Sequence, residues 1–183
     1  LEDCVVENLG GTGTGFYIRH HGYRWPVLVD DVTFRRCRVS KVNGDGFRIA
    51  TSPGPQIRPG IRTRNIRLLD CRCVGRTTIA WGVENVLLRG GRFDGPVCLG
   101  FAAGTDPLEG NGSKGPVRSV TLQQTRVGQL LINSRVGNPT GKLGDTAYAD
   151  YVPNIRLLKV RQDQPAKVVG KGAKIEIQAD PSR

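Results

Sequence analysis

The sequence predicts an all-β solenoid, and three observations predict it. One short pattern returns along the chain: an apolar, polar, apolar strand, a two-residue step, a small or apolar residue, an outward residue and another apolar residue. Its copies are spaced by 20 to 35 residues, the period of a coil that stacks on its neighbours. The composition is 38% hydrophobic but only 6% aromatic, which suits a thin core built from strands better than one built from helices.

The copies follow in order. Leu1 and then Cys4-Val5-Val6 form a unit with its beginning missing. Complete units are Val32-Thr33-Phe34 with Cys37-Arg38-Val39, Ile66-Arg67-Leu68 with Cys71-Arg72-Cys73, and Val86-Leu87-Leu88 with Gly91-Arg92-Phe93. Val120-Thr121-Leu122 with Thr125-Arg126-Val127, and Ile155-Arg156-Leu157 with Val160-Arg161-Gln162, continue the series. About six coils are therefore expected, in a single domain over residues 1–183. Each coil is expected to add a second strand: Gly15 to Ile18, Gly46 to Ile49, Thr78 to Trp81, Val97 to Phe101 and Leu130 to Asn133. Turns such as Gly10-Gly11-Thr12-Gly13 and Asn43-Gly44 supply the left-handed backbone between the two strands. Four long excursions follow the second strand, Arg19 to Asp30, Ala50 to Arg64, Ala102 to Pro116 and Arg135 to Pro153. Inserted at one point of successive coils, they should wall one edge of the second-strand face and form a groove there. Because Leu1 already lies inside a coil and the chain has no Met, the sequence reads as a processed domain or a fragment with N-terminal coils missing.

Charge and cysteine usage bound the chemistry. A net charge of +11, carried mostly by Arg, favours a polyanionic partner, since guanidinium forks match carboxylate, sulfate and phosphate groups. Five cysteines, an odd number, do not read as a disulfide framework. Cys4, Cys37 and Cys71 share one repeat position and should stack inside the coil as small hydrophobes, with Cys73 inward beside them at the position of Val39 and Phe93. The Cys71 and Cys73 pair has no second pair at zinc-finger spacing. No run of 18 apolar residues predicts a membrane-spanning helix.

The repeat resembles the right-handed parallel β-helix of the pectate-lyase-like superfamily, which includes polygalacturonases, alginate lyases and epimerases, and phage tailspikes. The local likeness is strongest in Asn43-Gly44-Asp45-Gly46-Phe47-Arg48-Ile49, followed by Asn65-Ile66-Arg67-Leu68-Leu69-Asp70-Cys71. It is similar to the polygalacturonase arrangement, and Asp45 falls where that family carries a catalytic Asp. The resemblance implies a right-handed parallel β-helix, an acidic polysaccharide as partner and a secreted or extracytoplasmic location. Hydrolysis needs two carboxyl groups flanking the bond. Thr14 and Thr77 or Thr78 stand where a second Asp would stack beside Asp45, so hydrolysis is not expected.

Two sets of residues are candidates for function. Arg38, Arg72, Arg92, Arg126 and Arg161 recur at one outward position and should form a ladder with rungs about 4.8 Å apart. Neighbouring charges at about 5 Å repel by roughly 0.8 kcal/mol in water, a cost that a polyanion laid along the axis would remove. On the second-strand face, alternation puts Phe16, Ile18, Phe47 and Ile49 inward and leaves Tyr17 and Arg48 outward, with Asp45 at the strand edge. Arg19, His20, His21, Tyr23 and Arg24 follow on the first loop. Asp45, Arg48, Tyr17, His20 and His21 suit proton abstraction beside a uronate carboxylate, as in β-elimination or C5 epimerisation, with Arg19, Tyr23 and Arg24 binding the sugar. Calcium finds only weak support in the scattered carboxylates of Asp30, Asp31 and Asp45, and no other cofactor is expected. Few aromatics and no recognised module argue against nucleic acid. The leading expectation is a carbohydrate-active domain that acts on or binds an acidic polysaccharide, with lyase or epimerase chemistry ahead of hydrolysis. The alternative is a non-catalytic scaffold or glycan-binding module.

Overall fold

The computed structural model describes residues 1–7, 13–20, 28–51, 62–80, 82–100, 117–133, 154–169 and 174–178, and every strand pairing among them is parallel. The chain is an all-β parallel β-helix, with no helix among the described residues.

One sheet has six strands, in spatial order β3 (Leu28–Arg35), β6 (Arg62–Leu69), β9 (Val83–Arg89), β11 (Arg118–Gln123), β13 (Asn154–Leu158) and β16 (Lys174–Gln178). Each takes one strand from successive repeats, and Val32, Ile66, Val86, Val120 and Ile155 fall in register as the pattern requires. A second, ten-stranded sheet forms the other side. It begins with the short strands β1 (Val5–Glu7), β4 (Arg38–Ser40) and β7 (Arg72–Cys73). It continues through β2 (Phe16–His20), β5 (Asp45–Thr51) and β8 (Arg76–Ala80), and is completed by β10 (Arg92–Leu99), β12 (Arg126–Asn133), β14 (Arg161–Gln162) and β15 (Lys167–Val169).

The coils are less uniform than the repeat suggests. Among the described residues, only three coils carry three separate strands: β3-β4-β5, β6-β7-β8 and β13-β14-β15. In β10 and β12 the short strand and the second strand run together as one eight-residue strand. The excursions are also shorter than expected, because β3 starts at Leu28, β6 starts at Arg62 and β5 runs to Thr51. Leu28 to Asp30 pair with Arg62 to Arg64, extending the sheet before the repeated triplet. A left-handed residue then separates that extension from the triplet: Asp31 (φ 57°), Asn65 (φ 56°), Asn85 (φ 54°) and Ser119 (φ 54°). Asp and Asn tolerate this conformation better than other side chains. Asn65 donates to Asp30 Oδ1 at 2.6 Å, and Asn85 donates to Asn65, so side-chain amides tie adjacent coils together beside this kink.

A second left-handed residue makes the corner between the sheets, at Arg36, Asp70, Gly90, Gln124 and Lys159. Immediately after it comes the inward position of Cys37, Cys71, Gly91, Thr125 and Val160. The interior is a continuous column of buried Val, Ile, Leu, Phe and Cys side chains. Phe47 stacks on Phe16 at 5.1 Å between ring centres and meets Phe34 edge-on at 5.8 Å. Phe47 and Ile49 are fully inside the coil as alternation predicts, and Tyr17 points out in register with Arg48. All five cysteines are free thiols, and four of them are buried. Burial pushes Cys71 up to about 12 and Cys73 up to about 11, so both are inert at neutral pH.

Candidate functional site: an arginine ladder and a buried aspartate

The arginine ladder forms in unbroken register. Arg38 pairs with Arg72, Arg72 with Arg92, Arg92 with Arg126 and Arg126 with Arg161. All five side chains are exposed. Alternation explains why: the neighbours Val39, Cys73, Phe93 and Val127 point into the core, which sends each Arg outward. On β1 the same position is occupied by Val5, in register with Arg38.

An open groove of about 450 Å³ runs over the first coils of this face. Arg38, Arg72 and Arg92 line it, together with Val5, Glu7, Val39, Ser40, Val74 and Asp94. Apart from the inward Val39, these residues fall into two outward columns. Val5 and the five arginines make the first, and Glu7, Ser40, Val74, Asp94, Gly128 and Asp163, two residues later, make the second. Reading every second residue on each short strand would have shown the second column, which the repeat pattern alone did not. The second column neutralises part of the first. Arg92 Nε donates to Asp94 on its own strand, and Arg126 Nε donates to Asp163 Oδ1 of the next coil at 3.0 Å. The bond to Asp94 raises the Arg92 pKa further.

Asp45, at the start of β5, is completely buried. Arg48 Nε donates to its Oδ2 and Arg76 Nε to its Oδ1, while the Thr78 hydroxyl donates to Oδ1 at 3.0 Å. Both oxygens are therefore held by cations, an arrangement that fixes the guanidinium groups rather than exposing a base. Arg48 in turn lies 5.4 Å from the centre of the Tyr17 ring. The structure thus brings Asp45, Arg48 and Tyr17 together and adds Arg76 and Thr78. The pairing of β5 with β8 sets Arg76 opposite Asp45, where the sequence had put Thr77 or Thr78, and Thr78 opposite Arg48; sequence reasoning did not find Arg76.

Arg19 and His20 end strand β2, but their side chains lie outside the described residues, as do His21, Tyr23 and Arg24 altogether. The residues expected to wall the second-strand face are likewise largely outside them. The outward row on that face continues from Arg48 to Thr78, Cys98 and Leu131. Those three side chains are 2%, 0% and 5% exposed, so this part of the face is covered. Burial also pushes the Cys98 thiol up to about 12. Among the described residues, no group of three or more His, Cys, Asp or Glu is placed to hold a metal ion, and no helix is long and apolar enough to cross a membrane.

No protein-family model, curated protein or solved structure matches the chain. Fold and site geometry therefore carry the functional argument.

Proposed function

We propose that this chain is a carbohydrate-active β-helix domain that binds an acidic polysaccharide along its arginine ladder. The observation that carries the reading is the in-register stack of Arg38, Arg72, Arg92, Arg126 and Arg161, three members of which line an open groove. A row of forked donors at strand spacing suits a polymer with anionic groups along its length. The fold and the run from Asn43 to Ile49 support kinship with the pectate-lyase-like superfamily and action outside the cytoplasm, where such polymers occur.

Lyase or epimerase chemistry is the second reading, favoured by Arg48 lying against Tyr17 on the second-strand face. In it Tyr17, His20 or His21 would take the proton beside the uronate carboxylate and Arg48 would steady the anion. Asp45 would act as a positioning residue, because both its oxygens are occupied.

Retention on immobilised polygalacturonate, alginate, hyaluronan and chondroitin tests the binding reading, with neutral dextran as control. Retention on at least one acidic polymer, released by salt and lost in an Arg38→Gln/Arg72→Gln variant, is expected. Equal passage through all columns would sink it. Absorbance of unsaturated uronate products in the same incubations, abolished in Tyr17→Phe, would establish the lyase instead.

A further inference from the structure

The two outward columns give the groove a charge pattern, and that pattern selects among acidic glycans. This inference rests on the polyanion-binding reading above. In the coils of β4 and β7, the second column offers Ser40 and Val74, so neither Arg38 nor Arg72 has a carboxylate from that column on its own strand. One coil further along, Asp94 engages Arg92, and one coil back, Glu7 stands in register with Ser40. The cationic stretch of the groove is therefore two rungs long and has a carboxylate at each end. Val5 and Val74 beside it are 58% and 55% exposed, an apolar surface on which the C–H face of a sugar can lie.

We infer that the groove takes a heteropolysaccharide in which acidic residues alternate with neutral ones. One acidic group sits on Arg38 and Arg72, where two guanidinium groups on adjacent strands can share it. The flanking sugars meet Glu7 on one side and Asp94 on the other. A neutral residue can donate hydroxyl hydrogen bonds to these carboxylates, whereas a uronate in the same place meets a like charge. A polymer with a carboxylate on every residue is thus disfavoured by the ends of the groove even though it carries more charge. That ordering is diagnostic, because simple electrostatic attraction favours the polymer of higher charge density.

The test compares dissociation constants for size-matched oligosaccharides of hyaluronan, which alternates uronate with a neutral sugar, and of polygalacturonate, at one fixed salt concentration. The wild-type chain is expected to prefer hyaluronan by about tenfold, the scale of one close charge interaction. In Glu7→Gln/Asp94→Asn the preference is expected to shrink to about threefold or less, through tighter binding of polygalacturonate, since Asp94→Asn also releases Arg92. Arg72→Gln should weaken both ligands. The substituted side chains are exposed, and an unchanged circular dichroism spectrum and unfolding midpoint would confirm that the fold is kept. Equal or tighter binding of polygalacturonate by the wild type, or a double variant with an unchanged ratio, overturns the alternating-glycan inference and leaves polyanion binding standing. Binding of neither ligand overturns the alternating-glycan inference, and polyanion binding falls with it when alginate and chondroitin are not retained either.

Discussion

Asp45 has no surface in water and holds two guanidinium groups whose own side chains are only 17% and 22% exposed. Its removal leaves two largely buried cations without their carboxylate, so Asp45→Ala is expected to cost about 3 kcal/mol in urea unfolding. Arg48→Ala should cost less, because Arg76 and Thr78 still engage the carboxylate. Equal stability of Asp45→Ala and wild type would show that the cluster does not hold the β5 and β8 strands together. The motif around Asp45 was visible in the sequence, but its partners were not, since Arg76 lies 31 positions further on and reaches it only by coil pairing. The cysteine column has a comparable local logic. Cys37 donates to Arg35 O and Cys71 to Leu69 O, both at 3.4 Å, and in a later coil the Thr125 hydroxyl makes the equivalent bond to Gln123 O at 2.8 Å. Where Cys or Thr occupies the position, its side chain offers a hydrogen to the corner carbonyl, whereas Gly91 and Val160 fill it without that bond.

At the scale of the element, the corner between the sheets is the most demanding backbone in the coil. Gly91 has φ +78°, and a Cβ there would lie 2.2 Å from the Cys71 carbonyl oxygen. Gly91→Ala is therefore expected to destabilise by at least about 2 kcal/mol, combining left-handed strain with overlap against backbone that cannot move aside. A chemical denaturation midpoint unchanged from wild type would contradict this. The strands themselves were legible wherever an apolar triplet marked them. Less legible were the ends of the long strands, such as Leu28 to Asp30 and Arg62 to Arg64, whose Leu-Val-Asp and Arg-Thr-Arg runs give no alternating signal and whose pairing depends on the next coil. The fusion of short and second strands in β10 and β12 was equally silent. In β10 it passes through Asp94, Gly95 and Pro96, residues that read as a turn, and the register against β12 shifts between Phe93 and Pro96.

Across the whole molecule, ion pairs join successive coils: Asp3 with Arg36, Asp30 with Arg64, Asp163 with Arg126 and Glu176 with Arg156. Hydrogen bonds from Arg36 hold the Asp3 carboxyl below its ordinary range, those from Arg64 and Asn65 do so for Asp30, and those from Lys174 and Arg156 contribute for Glu176. A carboxylate whose folded value is depressed adds stability above its unfolded value, near pH 4, and loses that contribution as pH falls through the folded value. The urea midpoint is thus expected to decline below about pH 4, and Asp30→Asn should flatten the decline. A midpoint that is level from pH 6 to pH 2.5 would show that these pairs contribute nothing.

The corner also works as a ruler. At each one, the amide of the left-handed residue donates to the following coil, as Arg36 does to Leu69 O and Asp70 to Arg89 O, both at 2.8 Å. Two residues later the amide donates to the preceding coil, as Arg38 does to Cys4 O and Arg72 to Cys37 O, both at 2.9 Å. One bond reaches up and the next reaches down, so a coil is pinned from both sides at the residue where the arginine column begins. The interval between neighbouring rungs is consequently a property of the main chain, independent of which side chains occupy them. The outward face can be rewritten, one rung at a time, while the distances a polymer encounters along it stay the same.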